Sequence, residues 1–185
     1  MKKIRLDDCI SITSLVDHSR IKDNILSCID RSADGNLIVY DVNGEESNSI
    51  TKLDWDKAED LSRPWFKLFF PYWKISVSKM LSNMQYESDY RLEKMWYQQY
   101  DTGSSHGWHI HSNHFTGVYY LEFPKGSAKT EIRSPYSLRD KKVDTSEGDI
   151  IIFPAHWIHR APPNTSVRKT IISFNFDLIV PPETK

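Results

Sequence analysis

The second half of the chain is a succession of short apolar runs set between Gly, Pro, Asn and Asp. GVYYLEF starts at Gly117, KTEIRS at Lys129, KKVDT at Lys141, DIIIFP at Asp149, WIHRA at Trp157 and SVRKTIISFNFDL at Ser166. Runs of this length, rich in β-branched and aromatic residues and bounded by turn formers, predict strands, and their spacing predicts a small sandwich or barrel. RLEKMWYQQY, from Arg91 to Tyr100, predicts a further strand that feeds the loop Asp101-Thr102-Gly103-Ser104-Ser105.

The first half has a different period. Ile10 to Leu15 predicts a strand leading into a helix, in which Leu15, Ile21, Ile25, Leu26 and Ile29 recur at three- and four-residue steps, with Ser14 as a cap and Asp17 three residues on. Asp34-Gly35-Asn36 marks a turn. LIVYDV then reads as a short strand ending at Asn43-Gly44, and the polar GEESNSITKLD as a surface loop. A second helix is predicted from Ser62, which can cap, with Pro64 in the first turn. Trp65, Phe69, Trp73 and Val77 fall on one face of it, suited to covering a sheet, and Pro71 should kink or split it.

Composition narrows the class of partner. A chain of 185 residues with 39% hydrophobic and 26% charged residues predicts a single domain over 1–185, in which 1–90 supports a β core over 91–180. A net charge of −1 gives no signal for nucleic acid and favours a small-molecule or peptide substrate. Cys9 and Cys28 form neither a disulfide framework nor a metal clip. MKKIRLDDCISITSL lacks the apolar core of a secretory signal, and no stretch approaches the ~20 apolar residues of a membrane span. A soluble, cytoplasmic protein is expected.

The chemistry concentrates in HGWHIHSNHFTGVYYLEFP, where His106, His109, His111 and His114 fall within nine residues. Residues two apart on an extended chain point the same way, so His109 and His111 are placed to converge on one ion. A His-rich polar loop is the alternative. His159, just beyond DIIIFP, supplies a third ligand if antiparallel strands bring the two segments together, which makes a facial site with open positions. His156 is assigned to a turn or the surface. In VRKTIISFNF, alternation groups Arg168, Thr170, Ile172, Phe174 and Phe176 on one face and Lys169, Ile171, Ser173, Asn175 and Asp177 on the other. An arginine among apolar side chains needs an anionic partner. Either a ligand carboxylate, with the Thr170 hydroxyl as a further donor, or a protein carboxylate would serve.

The order Tyr100-x-x-Gly103, His109-x-His111, GVYYLEFP, GDIIIFPAHWIHRAPP and Arg168-x-Thr170 resembles the iron(II)/2-oxoglutarate-dependent oxygenases over residues 93–177. It is nearest their prolyl-hydroxylase-like branch and its phage and marine bacterial members. The resemblance implies a mainly β protein with flanking helices: a double-stranded β-helix, a jelly-roll or cupin-like barrel with the N-terminal helices packed on it. It implies Fe(II), 2-oxoglutarate as cosubstrate and O2, in an enzyme that decarboxylates 2-oxoglutarate to succinate and hydroxylates a C–H bond of a peptide side chain, proline included, or of a small molecule. By position, His109 and His159 match the metal histidines, Arg168 and Thr170 the pair holding the far carboxylate, and Tyr100 a tyrosine lining the cosubstrate pocket. Trp108, Gln98, Arg133 and Trp157 are candidates for substrate contact.

His111 departs from the pattern, because that position is Asp or Glu in most of the family. Asp101, Glu122 and Asp144 lack the spacing to replace it. A cupin-type metal-binding protein that does not use 2-oxoglutarate is the competing reading, since GDIIIFPAHWIH and His-x-His also occur in cupins. That reading wants a Glu soon after the histidines, whereas Glu122 comes late, and it leaves Arg168-x-Thr170 unexplained. A non-catalytic barrel is the third.

Overall fold

A computed structural model of the protein describes residues 10–40, 46–86, 88–134, 138–165 and 167–179. In chain order its elements are β1 (Ser11–Ser14), α1 (His18–Arg31), β2 (Leu37–Tyr40), β3 (Glu46–Ile50), β4 (Lys52–Leu53), α2 (Pro64–Asn83), β5 (Tyr90–Tyr100), β6 (Ser105–His109) and β7 (Phe115–Glu122). They continue with β8 (Glu131–Arg133), β9 (Asp140–Lys142), β10 (Asp149–Pro154), β11 (Ile158–Ala161) and β12 (Lys169–Leu178).

The strands form two six-stranded antiparallel sheets, ordered β1-β10-β7-β12-β5-β4 and β2-β3-β6-β11-β8-β9. From β5 onward the chain passes repeatedly between them. β5, β7, β10 and β12 lie in the first sheet, and β6, β8, β9 and β11 in the second. That alternation is the winding of a double-stranded β-helix, as expected from the sequence.

Two cores follow from it. Ile172, Phe174 and Phe176 of β12, with Tyr119 and Leu121 of β7, pack under the buried faces of α1 and α2. Val118 and Tyr120 of β7, Ile151 and Phe153 of β10 and Ile171 of β12 lie between the sheets instead. The first sheet is therefore buried on both faces, which explains why β7 and β10 read as continuous apolar runs rather than alternating ones. Gly117 sits in the middle of β7, where an added Cβ would come within 2.4 Å of the Phe174 ring and 2.5 Å of the Ile151 carbonyl oxygen. Because backbone stands in the way, Gly117→Ala should lower stability by about 3 kcal/mol, read as a drop in urea midpoint at unchanged slope.

Several local expectations change. α2 runs unbroken from Pro64 to Asn83 with Pro71 inside it, so the proline does not split the helix. Trp65, Phe69, Trp73 and Val77 are all buried, and this packing of one aromatic face holds the helix together across the missing hydrogen bond. Ser62 does not cap it. Arg63 occupies the cap position and turns its guanidinium to Asp54 at 2.6 Å. Ser14 ends β1, with its hydroxyl donating to Asp149 at 2.6 Å, and α1 begins only at His18. The stretch read as a polar loop contains β3 and β4. A polar strand suffices there because β3 finds ladder partners in β2 and β6 and β4 finds one in β5. Asn43-Gly44 and Cys9 lie outside the described residues. Among those residues no helix is long and apolar enough to cross a membrane.

Candidate metal centre

β6 and β11 are neighbours in the second sheet, and His109 and His159 stand directly opposite each other in their register. Cross-strand partners project to the same face, so the pairing brings both imidazoles to the inner side, ring centroids 4.2 Å apart. His111 lies two residues past the end of β6. Its backbone N–H donates to the Ala155 carbonyl at 2.9 Å, which draws it in beside the other two. The ligand-capable atoms of His109, His111 and His159 all lie within 4.8 Å of one another.

Two of the three are oriented the same way. Nδ1 of His109 is 2.8 Å from the Gly107 carbonyl oxygen, and Nδ1 of His159 is 2.9 Å from that of Trp157. Each ring thus donates its Nδ1–H to the backbone two residues earlier and keeps the Nε2 lone pair for an ion. Nδ1 of His111 faces a side chain instead, the Asn175 amide at 3.3 Å.

Burial keeps the cluster neutral. Desolvation pushes His111 down to about 4 and His106 to about 3, with neighbouring imidazoles adding to the effect, and it holds His109 and His159 below their ordinary range. Neutral imidazole is the form that binds a metal. Among the described residues no carboxylate joins the group. Asp101 is exposed, and Asp144 pairs with Lys129 at the surface. The donor set is therefore three neutral nitrogens, which suits Fe(II), Zn(II) or another borderline divalent ion and leaves its charge uncompensated by the protein.

His106 is on β6 and stacks on His109 at 3.9 Å. His114 is outside the cluster and accepts a hydrogen bond from the Leu178 N–H. His156 is exposed in a turn, as expected. Trp96, Gln98, His106, His109 and His111 border both a small inner chamber of about 30 Å³ and a groove of about 230 Å³ outside it. The outer groove adds Leu37, Ile50, Leu53, Trp55 and Ile110. Of the four residues expected near substrate, Gln98 alone borders these spaces. Trp108 lies between the guanidinium groups of Arg133 and Arg160, at 4.4 and 4.5 Å, and Trp157 packs against the inter-sheet core.

Tyr100 lines the inner chamber and is fully buried, and its hydroxyl has no hydrogen-bond partner. Its cross-strand partner is Lys169. That side chain is 2% exposed, places Nζ 4.7 Å over the Tyr100 ring, and donates to the Ala128 carbonyl at 2.9 Å. Among the described residues no carboxylate pairs with it, and burial pushes the ammonium down to about 8. A buried cation and an orphaned phenol hydroxyl on adjacent strands are poorly satisfied by the protein itself.

Arg168 and Thr170 are on the other face of β12. Arg168 makes a forked contact with Glu122 at 2.9 and 3.1 Å and a second with Asp30 of α1 at 2.8 Å. Thr170, in register with Glu122, donates to the same carboxylate at 2.8 Å. Of the two partners open to Arg168 from sequence, the protein carboxylate is the one it has. The same contacts hold Glu122 away from the histidines, so it does not serve as the cupin glutamate. Sequence reasoning passed over Lys169 and Asn175. The signal that could have found them was the inward alternation of Lys169, Ile171, Ser173 and Asn175.

No protein-family model matches the chain, and none of the curated proteins compared with it does either. Solved structures do match its fold. An oxidoreductase of the 2OG-Fe(II) oxygenase family from Burkholderia pseudomallei superposes with a TM-score of 0.71 at 11% identity, covering 91% of this chain and 84% of that one. A Trichoplax adhaerens prolyl hydroxylase, in complex with a hypoxia inducible factor peptide fragment, gives 0.62 at 17% identity, over 91% and 83%. The α-ketoglutarate-dependent epimerase SnoN of nogalamycin biosynthesis gives 0.67 at 13% identity, over 92% and 78%. The chain thus has the double-stranded β-helix fold found in 2-oxoglutarate, iron(II)-dependent oxygenases, with its histidine cluster on the inner face of that fold.

Proposed function

We propose that this protein is an Fe(II)- and 2-oxoglutarate-dependent dioxygenase that hydroxylates a C–H bond of a peptide side chain, proline included, or of a small molecule. The observation that carries the reading is two unsatisfied demands: His109, His111 and His159 converge in a chamber that Tyr100 also lines, its hydroxyl without a partner, and the Lys169 ammonium is buried over the Tyr100 ring. A metal with a dicarboxylate cosubstrate meets both.

When bound, iron, 2-oxoglutarate and O2 supply the oxidation, in which the cosubstrate loses CO2 to become succinate and one oxygen atom enters the substrate. The chain's own residues bind, orient and dry the site. His109 and His159 present Nε2 with their tautomers fixed by backbone carbonyls. Lys169 takes the far carboxylate of the cosubstrate as a charge-assisted hydrogen bond, and the Tyr100 hydroxyl donates a second. In this assignment Lys169 replaces Arg168, and Thr170 acts only through Glu122. Phe153, packed edge-on to His159 at 5.0 Å, and Ile171 keep water out. The lining of the outer groove is apolar apart from Gln98 and its histidines, and favours an uncharged substrate group next to the metal. The fold does not choose the reaction, since an epimerase shares it.

The test is anaerobic addition of 2-oxoglutarate to the Fe(II)-loaded protein, which should give a visible metal-to-ligand charge-transfer band. No band under conditions where iron is bound overturns the reading. Repeating the titration against pH examines Lys169. Only its ammonium pairs with a carboxylate, so affinity should hold below about 8 and then weaken about tenfold per pH unit. Carboxylate binding itself raises the lysine, so the bound complex should resist deprotonation to higher pH than the free protein.

A further inference from the structure

His111 differs from its two companions in one respect that the fold itself imposes. His109 and His159 are flanked by backbone carbonyls, which can only accept, so each has one possible tautomer. His111 is flanked by the carboxamide of Asn175, which can donate or accept. That amide is on the inner face of β12 and 2% exposed, its nitrogen is 3.3 Å from His111 Nδ1, and its oxygen is buried without any partner.

As it stands, the amide donates to Nδ1, which puts the imidazole proton on Nε2. In that form Nε2 has no lone pair for an ion. Half a turn of the amide about its last side-chain bond brings the unpartnered oxygen to Nδ1, which must then carry the proton, and frees Nε2. Each orientation makes one hydrogen bond to His111, so neither is strongly preferred until an ion arrives. We propose that Asn175 is the positioning residue of this site, and that its amide turns over on metal binding to convert His111 from a non-ligating to a ligating tautomer. The exchange balances: one proton leaves Nε2 for water and one reaches Nδ1 from water, with none released overall. The inference rests on the metal part of the proposed function and not on the cosubstrate.

The test uses the full chain, labelled with nitrogen-15, without metal and loaded with diamagnetic Zn(II). Long-range proton–nitrogen correlation spectra read which ring nitrogen of each histidine is protonated, and His111→Gln assigns the signals. His111 should carry its proton on Nε2 without metal and on Nδ1 with Zn(II), while His109 and His159 stay protonated on Nδ1 throughout. Asn175→Asp, which can only accept, should hold His111 in the Nδ1–H form in both states. Asn175→Leu, which can do neither, should weaken Zn(II) in chelator competition by about 10- to 100-fold. The same His111 tautomer in both states of a protein that binds Zn(II), or equal Zn(II) affinity in Asn175→Leu, overturns the switch while leaving the oxygenase reading intact. A protein that takes up neither Zn(II) nor Fe(II) overturns the metal reading and the switch with it.

Discussion

Lys169→Met should weaken 2-oxoglutarate binding by about 30-fold or more, and Arg168→Met should leave it near the wild-type value. The two residues are adjacent in sequence and opposite in environment. Lys169 is buried beside Tyr100, with one backbone carbonyl for company, whereas Arg168 faces α1 and is engaged by Glu122 and Asp30. Loss of a buried charge-assisted contact to a carboxylate costs roughly 2–5 kcal/mol, or about 30- to several thousand-fold in affinity. Calorimetric titration of 2-oxoglutarate into the Mn(II)-loaded variants reads both effects. Arg168→Met should instead lower the thermal midpoint, because Glu122, Thr170 and Asp30 lose the group that joins them. If cosubstrate binding fails in Arg168→Met and survives in Lys169→Met, the assignment of Lys169 is wrong.

Asp54→Ala should be among the most destabilising single changes in the chain, by about 3–5 kcal/mol. Its carboxylate is fully buried and accepts from Arg63 at 2.6 Å, the Trp65 indole at 2.9 Å and the Tyr97 backbone N–H at 2.8 Å. One side chain thereby ties the start of α2 to the middle of β5. Burial pushes the carboxyl up and Arg63 opposes it, so its charge depends on that partner. Truncation strands Arg63, which is 6% exposed. Urea denaturation of Asp54→Ala, Arg63→Met and the double variant separates the causes. The double variant should recover part of the loss, since no unpaired charge is then left buried. If it is as unstable as the sum of the two, the stranded cation is not the source. The neighbouring Trp55 packs edge-on against Trp96 at 4.5 Å and borders the outer groove, so Asp54→Ala should also disturb that wall.

The sequence made the histidine cluster legible because a two-residue spacing set His109 and His111 on one side of an extended chain, although His111 lies past the end of β6 and is held there by Ala155, and the third followed once antiparallel pairing was assumed. The helix faces were legible for a similar reason, as Ile21, Ile25 and Ile29 of α1 and the aromatic stripe of α2 repeat at the helical period and are buried. Alternation also grouped the residues of β12 correctly into two sets. It could not say which set was inside. In a half-solvated sheet the apolar set marks the core, but β12 is buried on both faces and the rule fails. Its more apolar set, Ile172, Phe174 and Phe176, packs under the helices, while in the other set Ile171 and Ser173 line the inner chamber, Asn175 meets His111 and Lys169 lies over the Tyr100 ring. An inner face that carries histidines and their polar neighbours reverses the usual sign. β3 was missed for a related reason, because a strand whose partners are supplied by its neighbours needs little hydrophobicity of its own.

The pairing of His109 with His159 has a consequence for the order of events during folding. They meet only after the chain has passed through β7, β8, β9 and β10 and closed the second sheet around them. An unfolded or growing chain presents at best the local His109-x-His111 pair, too few ligands to hold an ion firmly. On the proposed metal reading, capture of the ion is therefore a late event that reports closure rather than nucleating it. Once captured, the ion stabilises only the closed form, by about 2.7 kcal/mol at a free concentration one hundred times its Kd. On the proposed reading a bound ion would act as a clasp between two distant parts of the chain, and metal supply would then set how long the folded protein lasts.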